Sequence, residues 1–454
     1  MVLKVNSFLI FICSLIGSFI SNAILLAEES ALDQVIKNTI VVISAHNSVI
    51  QNEFTLGFKE WYKRLFNQDV HIDWRNTGGS SESLKFVLSE FVRTPNSIGI
   101  DCFFGGGYEP YLILKNAGLL QRVELPKALL QHIPDSIGGI NIYDPDLHWF
   151  GAALSCFGIL QNKKVIQING LPEVFAWHDL TSPGLYGWVG AADPRKSGTM
   201  TVIFESILQL YGWNDGWKIL AIISANVRNF DRVAAATAKD VFYGEIAYGI
   251  TIDFYALTQI NAAGKTNLFF ALPKNAAVPI PDGIAMLKGA PNPAVTSRFI
   301  EFVLSESGQK LWFLPPGQSG GPKKYFLSRL TVQSDLYEKF KDIISIDNPY
   351  KNFNPDLVYD VKKAQVRRDI INAIAGAILV DTHDELKKAW KTAIENNKTR
   401  VFISNFPTIP ITEDEAIITS QSAWNDPAFR ANKKIEWSMW AKKTYSYLKA
   451  ICSN

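Results

Sequence analysis

Cysteine is scarce, with four in 454 residues, and only Cys102, Cys156 and Cys452 lie beyond an N-terminal apolar run. An odd number of thiols in a chain this long does not make a disulfide scaffold. Cys102 and Cys156 sit in apolar, strand-like stretches and read as buried thiols, with a Cys102–Cys156 bridge as the alternative. An excess of either charge is missing too: 45 Lys and Arg face 43 Asp and Glu. That balance provides no field to draw nucleic acid or an anionic membrane surface. The six histidines (His46, His71, His132, His148, His178, His383) have no metal-ligand spacing, and no Gly-x-Ser-x-Gly or His-Glu-x-x-His motif occurs. Internal repeats and low-complexity segments are likewise absent, and no segment beyond the N-terminus has 18 uninterrupted apolar residues, which argues against repeat arrays and membrane bundles.

An apolar run stands at the start. Lys4 precedes Phe8 to Ile20, and Ser21-Asn22-Ala23 places small residues where a signal peptidase inspects them. Residues 1–23 are therefore expected to be a cleaved export signal, with Ala27 as the alternative site. Ser14, Gly17 and Ser18 break the run, and Cys13 lies inside it, against a retained span or a lipid anchor. The chain, 47% hydrophobic over its 454 residues with 12 tryptophans, can fill two cores.

From Thr39 a strand, loop and helix pattern repeats three times: Thr39 to Ser44 before Phe54 to Phe66, Val70 to Trp74 before Leu84 to Phe91, and Ile98 to Phe104 before Leu112 to Ala117. This alternation predicts a parallel sheet in an α/β layer. Leu147 to Leu160 is a continuous apolar run, read as a strand leaving one domain for another. A helix is expected over Leu171 to Leu180, a strand over Ala247 to Ile252, a return crossing over Leu268 to Leu287, and one amphipathic helix over Asn292 to Leu314. Beyond Ser319 the chain reads as helices separated by joints such as Asp347-Asn348-Pro349 and Asn352-Phe353-Asn354-Pro355, and the stripe Trp437, Trp440, Tyr445 and Leu448 is expected to pack on the first domain.

Ligands in such sheets bind at the carboxyl ends of the strands, and there the chain places His46-Asn47, Thr77-Gly78-Gly79-Ser80-Ser81 and Gly105-Gly106-Gly107-Tyr108. Asp193-Pro194 ends another strand, and Ser197-Gly198-Thr199 opens a helix. A helix start presents free N–H groups and roughly half a positive elementary charge, which suits an anion. The alternative is that Ser197 or Thr199 only caps its own helix. Arg228 offers a bidentate partner for carboxylate or phosphate, or else pairs with Asp231. Asp253 suits a hydroxyl or ammonium, or else caps a helix.

Asp193-Pro194-Arg195-Lys196-Ser197-Gly198-Thr199 resembles the Asp-Pro-x-x-Ser-Gly-Thr stretch of the family 1 extracellular solute-binding proteins, related to ferric-ion and sugar-phosphate binders. Ala117-Gly118-Leu119-Leu120 and the Phe299 to Trp312 helix are similar to that family as well. The resemblance implies an α/β, two-lobed type 2 periplasmic-binding-protein fold with hinge crossings, plus a helical C-terminal extension. Residues 38–152 and 273–330 would form lobe 1, 153–272 lobe 2, and 331–454 an extension on lobe 1. It implies a monomeric periplasmic component of an ABC importer, with a membrane permease as partner and no catalysis or cofactor. A small anionic solute, phosphorylated or carboxylated, would sit among His46, Asn47, Thr77, Ser80, Ser81, Gly106, Tyr108, Ser197, Gly198, Thr199, Arg228, Asp253 and Tyr255. Ferric-ion relatives bind through a histidine, a glutamate and two adjacent tyrosines; here Gly105 to Gly107 carries no acid and Phe254-Tyr255 replaces the pair, so iron loses two hard oxygen donors. Ferric binding, a secreted hydrolase using His46 and Ser80, and a sensor docking its helical tail on a receptor stay open as alternatives.

Overall fold

A computed structural model describes residues 38–453 except 265, 275, 277, 345–347 and 352–358. The export signal and the joints at 347 and 352–355 lie outside the described residues, and no helix among those described is long and apolar enough to cross a membrane. The first lobe opens with β1 (Thr39–Ser44), α1 (Ser48–Phe66), β2 (His71–Arg75), α2 (Ser80–Arg93), β3 (Cys102–Phe104) and α3 (Glu109–Asn116). Both β1–β2 and β1–β3 are parallel, with Val42 opposite Trp74 and Cys102. All three strands therefore end on the same edge, and the loops after them meet there.

The apolar run expected to change domains does so at one residue. β4 (Phe150–Ser155) belongs to the first sheet and β5 (Phe157–Asn162) to the second, with Cys156 between them. Every residue of both strands is buried, which is why the run has no polar alternation. The second lobe continues with β6 (Val189–Ala192), α4 (Gly198–Tyr211), α5 (Trp213–Asn226), β7 (Val227–Asp231), α6 (Ala234–Tyr243), β8 (Tyr248–Ile252), α7 (Asp253–Ala263) and β9 (Leu268–Ala271), in the sheet order β7-β6-β8-β5-β9. The chain returns through β10 (Ile280–Leu287), antiparallel to β3 and β4. Two crossings thus join two sheets: a hinged, two-lobed α/β fold.

Three expectations need correction. Leu171 to Leu180 is helical only over Trp177–Thr181, as a short 3₁₀ turn; the backbone of Val174 instead exchanges two bonds with the buried Gln161 amide, at 2.5 and 3.0 Å. Asn292 to Leu314 is two helices, α8 (Pro293–Leu304) and α9 (Glu306–Phe313), divided at Ser305, whose side chain caps the second. The third concerns the C-terminal helices α10 (Val361–Ala375), α11 (His383–Glu395), α12 (Glu413–Gln421) and α13 (Pro427–Ser453). They pack on the second lobe rather than the first. Ile370, Ile374, Trp390, Trp437, Tyr445 and Leu448 share one core with Ile203, Ile207, Leu220 and Ile223 of α4 and α5. The fully buried Trp390 also donates its indole N–H to Asn226 at 2.8 Å. Cys102, Cys156 and Cys452 are free, buried thiols, so the Cys102–Cys156 bridge is not formed.

Candidate functional site

The parallel strands β1 and β3 deliver His46 and Gly105 side by side: a Cβ on Gly105 would stand 2.7 Å from the imidazole. Only glycine fits, and Gly105, Gly106 and Gly107 all hold φ between +78° and +94°, a conformation that side chains disfavour. Gly106 in turn lies over Ser80, the first residue of α2, with a Cβ position 3.1 Å from its Cβ and Oγ. The loops after β1, β2 and β3 therefore converge, tied by Gln51, which donates to the His46 carbonyl at 2.8 Å and to Asn76 Oδ1 at 2.6 Å. Neither α2 nor α3 has a side-chain cap bond at its start. Glu82, in the first turn of α2, reaches back to within 3.0 Å of where a Gly79 Cβ would be.

The centre of this edge is Asp282, on the return strand β10. Its Oδ2 accepts from His46 Nε2 at 2.9 Å and Arg329 at 2.8 Å, and its Oδ1 accepts from the Gly107 N–H at 2.7 Å. Burial alone would raise this carboxyl, but the Arg329 guanidinium and then His46 hold it far below the usual carboxylate range. Arg329 also donates to Ser155 at 3.1 Å, and its cation lies 4.8 Å from the Phe254 ring and 5.5 Å from that of Trp312. Arg329 Nε and His46 Nδ1 are both buried without a hydrogen-bond partner. Buried polar atoms are nearly always satisfied; these two, in one cluster, are not.

Asp253 begins α7 at the crossing. One carboxylate oxygen accepts from the Cys156 N–H at 2.9 Å and the other from the Phe254 N–H at 2.7 Å. Full burial pushes its pKa up from 3.8 to about 7, against the lowering pull of Arg329 and of those two backbone bonds. Both oxygens thus serve the hinge and the helix start, where the sequence reading gave them to a ligand. Tyr255 and Tyr108 are both pushed above their ordinary phenol range by burial, with Arg329 and Arg368 respectively pulling back.

The remaining expected residues separate. Asn47 caps α1, accepting from Val49 and Ile50 N–H, and Thr77 donates to Ser83 at 3.0 Å; Ser81 lies in α2. Ser197 caps α4 through Met200 N–H at 3.4 Å, while Gly198, which begins α4, faces open space, and Thr199 is half-buried beside it. Losing the cap in Ser197→Ala is expected to cost about 1 kcal/mol in urea unfolding. Arg228 does not reach the edge at all. β7 runs parallel to β6 with Val227 opposite Val189 and Asp231 opposite Ala192, so Arg228 sits at the opposite end of the strand. It pairs there with Glu245 at 3.3 Å, not with Asp231. His46 and Ser80 form no base–nucleophile pair, because Nε2 is bound to Asp282 and Nδ1 is free. Sequence reasoning missed Asp282, Arg329 and Gln51; the only local signal was an acid inside the apolar run Val278 to Leu287.

Residues 97–313 match the family of bacterial extracellular solute-binding proteins. Among curated relatives, the phosphoglycerate transport regulatory protein PgtC of Salmonella typhimurium is 25% identical over 370 residues, covering 78% of this chain and 84% of its own. An uncharacterized Haemophilus influenzae protein is 25% identical over 281 residues, 61% of this chain and 75% of that one. Among solved structures, the periplasmic binding protein AfuA of Actinobacillus pleuropneumoniae aligns with a TM-score of 0.51 at 19% identity, over 69% of this chain and 92% of its own. Apo FutA2 of Synechocystis gives 0.53 at 14% identity, over 75% and 99%. The fold of the solute-binding proteins is thus shared nearly entire.

Proposed function

We propose that this protein captures a small organic anion, phosphorylated or carboxylated, between its lobes, and delivers it in the periplasm to the permease of an ABC importer. The observation that carries the reading is the pair of buried, unpartnered atoms, Arg329 Nε and His46 Nδ1. An anionic oxygen accepts from a guanidinium N–H in a charge-assisted bond, and from Nδ1 once the imidazole carries its second proton. Asp282 already neutralises one charge of the cluster, so the ligand's charge need not be fully matched by Arg329 alone. The left-handed glycine turn at Gly105 to Gly107 and the uncapped starts of α2 and α3 add backbone dipoles on the same edge. The name of the PgtC relative, a phosphoglycerate transport regulatory protein, supports a phosphoglycerate-like solute, and the matching family and AfuA are both described as binding proteins.

Iron finds less support. Among the described residues the one close group of three His, Cys, Asp or Glu is Asp144, Asp146 and His148, and Lys115, in the last turn of α3, already binds both aspartates. That places it at the end of α3 away from Gly107. Isothermal titration of the protein with 3-phosphoglycerate, citrate and ferric citrate decides between these. Micromolar binding of 3-phosphoglycerate without metal is expected; binding of ferric citrate alone would overturn the anion reading.

A further inference from the structure

The helical extension does more than cover the second lobe, because two adjacent residues of α10 hold different lobes. Arg367 is fully buried and reaches into the second lobe, its Nε and Nη2 contacting Glu205 of α4 at 2.8 to 3.1 Å. Its other nitrogen binds Glu413 of the extension, and the guanidinium lies 5.3 Å from the Trp213 ring. Arg368 turns to the first lobe and binds Glu109, the first residue of α3. Two residues after Gly107, Glu109 lies on the edge where Asp282 and His46 meet. A second strut stands nearby: the backbone N–H of Tyr359 donates at 3.0 Å to the carbonyl of Gly138 in the first lobe. The Tyr359 side chain meanwhile is buried in the core that the extension shares with the second lobe. Tyr108 of the first lobe lies in that same core.

We propose that the extension is an interlobe clasp in which Arg368 is the positioning residue. Anchored in the second lobe by Arg367, it grips Glu109 only when the cleft is closed, and so biases the hinge at Cys156 towards closure and slows ligand escape. The hinge makes this possible: the strand crosses between lobes at a single residue, so rotation there moves Glu109 away from an arginine fixed to the other lobe. An ion pair made in only one of two states shifts their populations by its differential strength. The same pairing neutralises a carboxylate at the mouth of a cleft that receives an anion. The clasp deepens, and its kinetic part rests on, the anion-capture reading above.

The test uses the full chain with spin labels at Lys85→Cys in α2 and Lys239→Cys in α6, both exposed. In the ligand-free protein, Arg368→Ala is expected to lengthen the interlobe distance distribution. Stopped-flow dissociation of 3-phosphoglycerate should quicken about fivefold, the upper range for a partly exposed pair, with little change in Tm. Arg368→Lys should restore part of both effects, and the exchange Glu109→Arg with Arg368→Glu most of them, which a purely structural role for Arg368 would not produce. An unchanged distance distribution in Arg368→Ala would sink the clasp whatever the ligand. Lengthened distances in a protein that fails to bind 3-phosphoglycerate would keep the clasp and remove the anion reading instead.

Discussion

Arg329→Met should abolish measurable binding of 3-phosphoglycerate and also destabilise the fold by ~3–5 kcal/mol, the usual cost of leaving a buried charge without its partner. The two losses have separate causes. Binding goes because the unpartnered Nε and the cation itself go. Stability goes because Asp282, buried with an ionised carboxylate, keeps only His46 and the Gly107 N–H. Adding Asp282→Asn removes the stranded charge while an amide oxygen still accepts from Gly107, so the double variant should recover most of the stability and none of the binding. Urea unfolding and isothermal titration on the single and double variants check both halves. Binding retained in either variant would place the anion elsewhere in the cleft.

Lowering the pH from 8 to 5 should stabilise the protein through Asp253, opposite to the behaviour of most carboxylates. In the unfolded chain this group ionises near its ordinary 3.8, but in the fold only near about 7. The folded state therefore holds the proton more tightly across that window. The contribution is fully present below about pH 4 and is lost as the pH rises through 7. At about 1.4 kcal/mol per pH unit the whole window amounts to roughly 4 kcal/mol. Asp282 acts in the other direction: its carboxyl is held low by Arg329 and His46, so its share is present above about pH 4 and falls away only in strong acid. The measurement is the stability difference between wild type and Asp253→Asn from pH 4 to 8. Wild type is expected to lose stability relative to Asp253→Asn as the pH rises from 4 to 7, and a difference that is flat would show that Asp253 stays ionised between its two backbone donors.

Much of the scaffold was legible because it follows from periodicity. The three strand–loop–helix units up to Ala117 show in the switch between strand and helix spacing, and the unbroken apolar run from Leu147 to Leu160 reports burial on both faces of a sheet. The helix start at Ser197 was legible as well, though with two meanings, and the hydrogen bond to Met200 shows the capping one. Arg228 misled because its strand begins only at Val227, directly after helix α5, so the residue stands at the amino end of β7 and not at a carboxyl end.

Near neighbours along the chain dictate the alternation of strands and helices, the two domain crossings and the placement of His46, Ser80 and the glycine turn at strand ends. That His46 meets Asp282, which is 236 positions away, and that Arg329 completes the cluster follow from long-range packing alone. It decided too that the helical extension lies on the second lobe and reaches back to Glu109. The reason is the same in each case: an apolar stripe or a buried charge specifies that it needs a partner, and the chain's long-range path specifies which one.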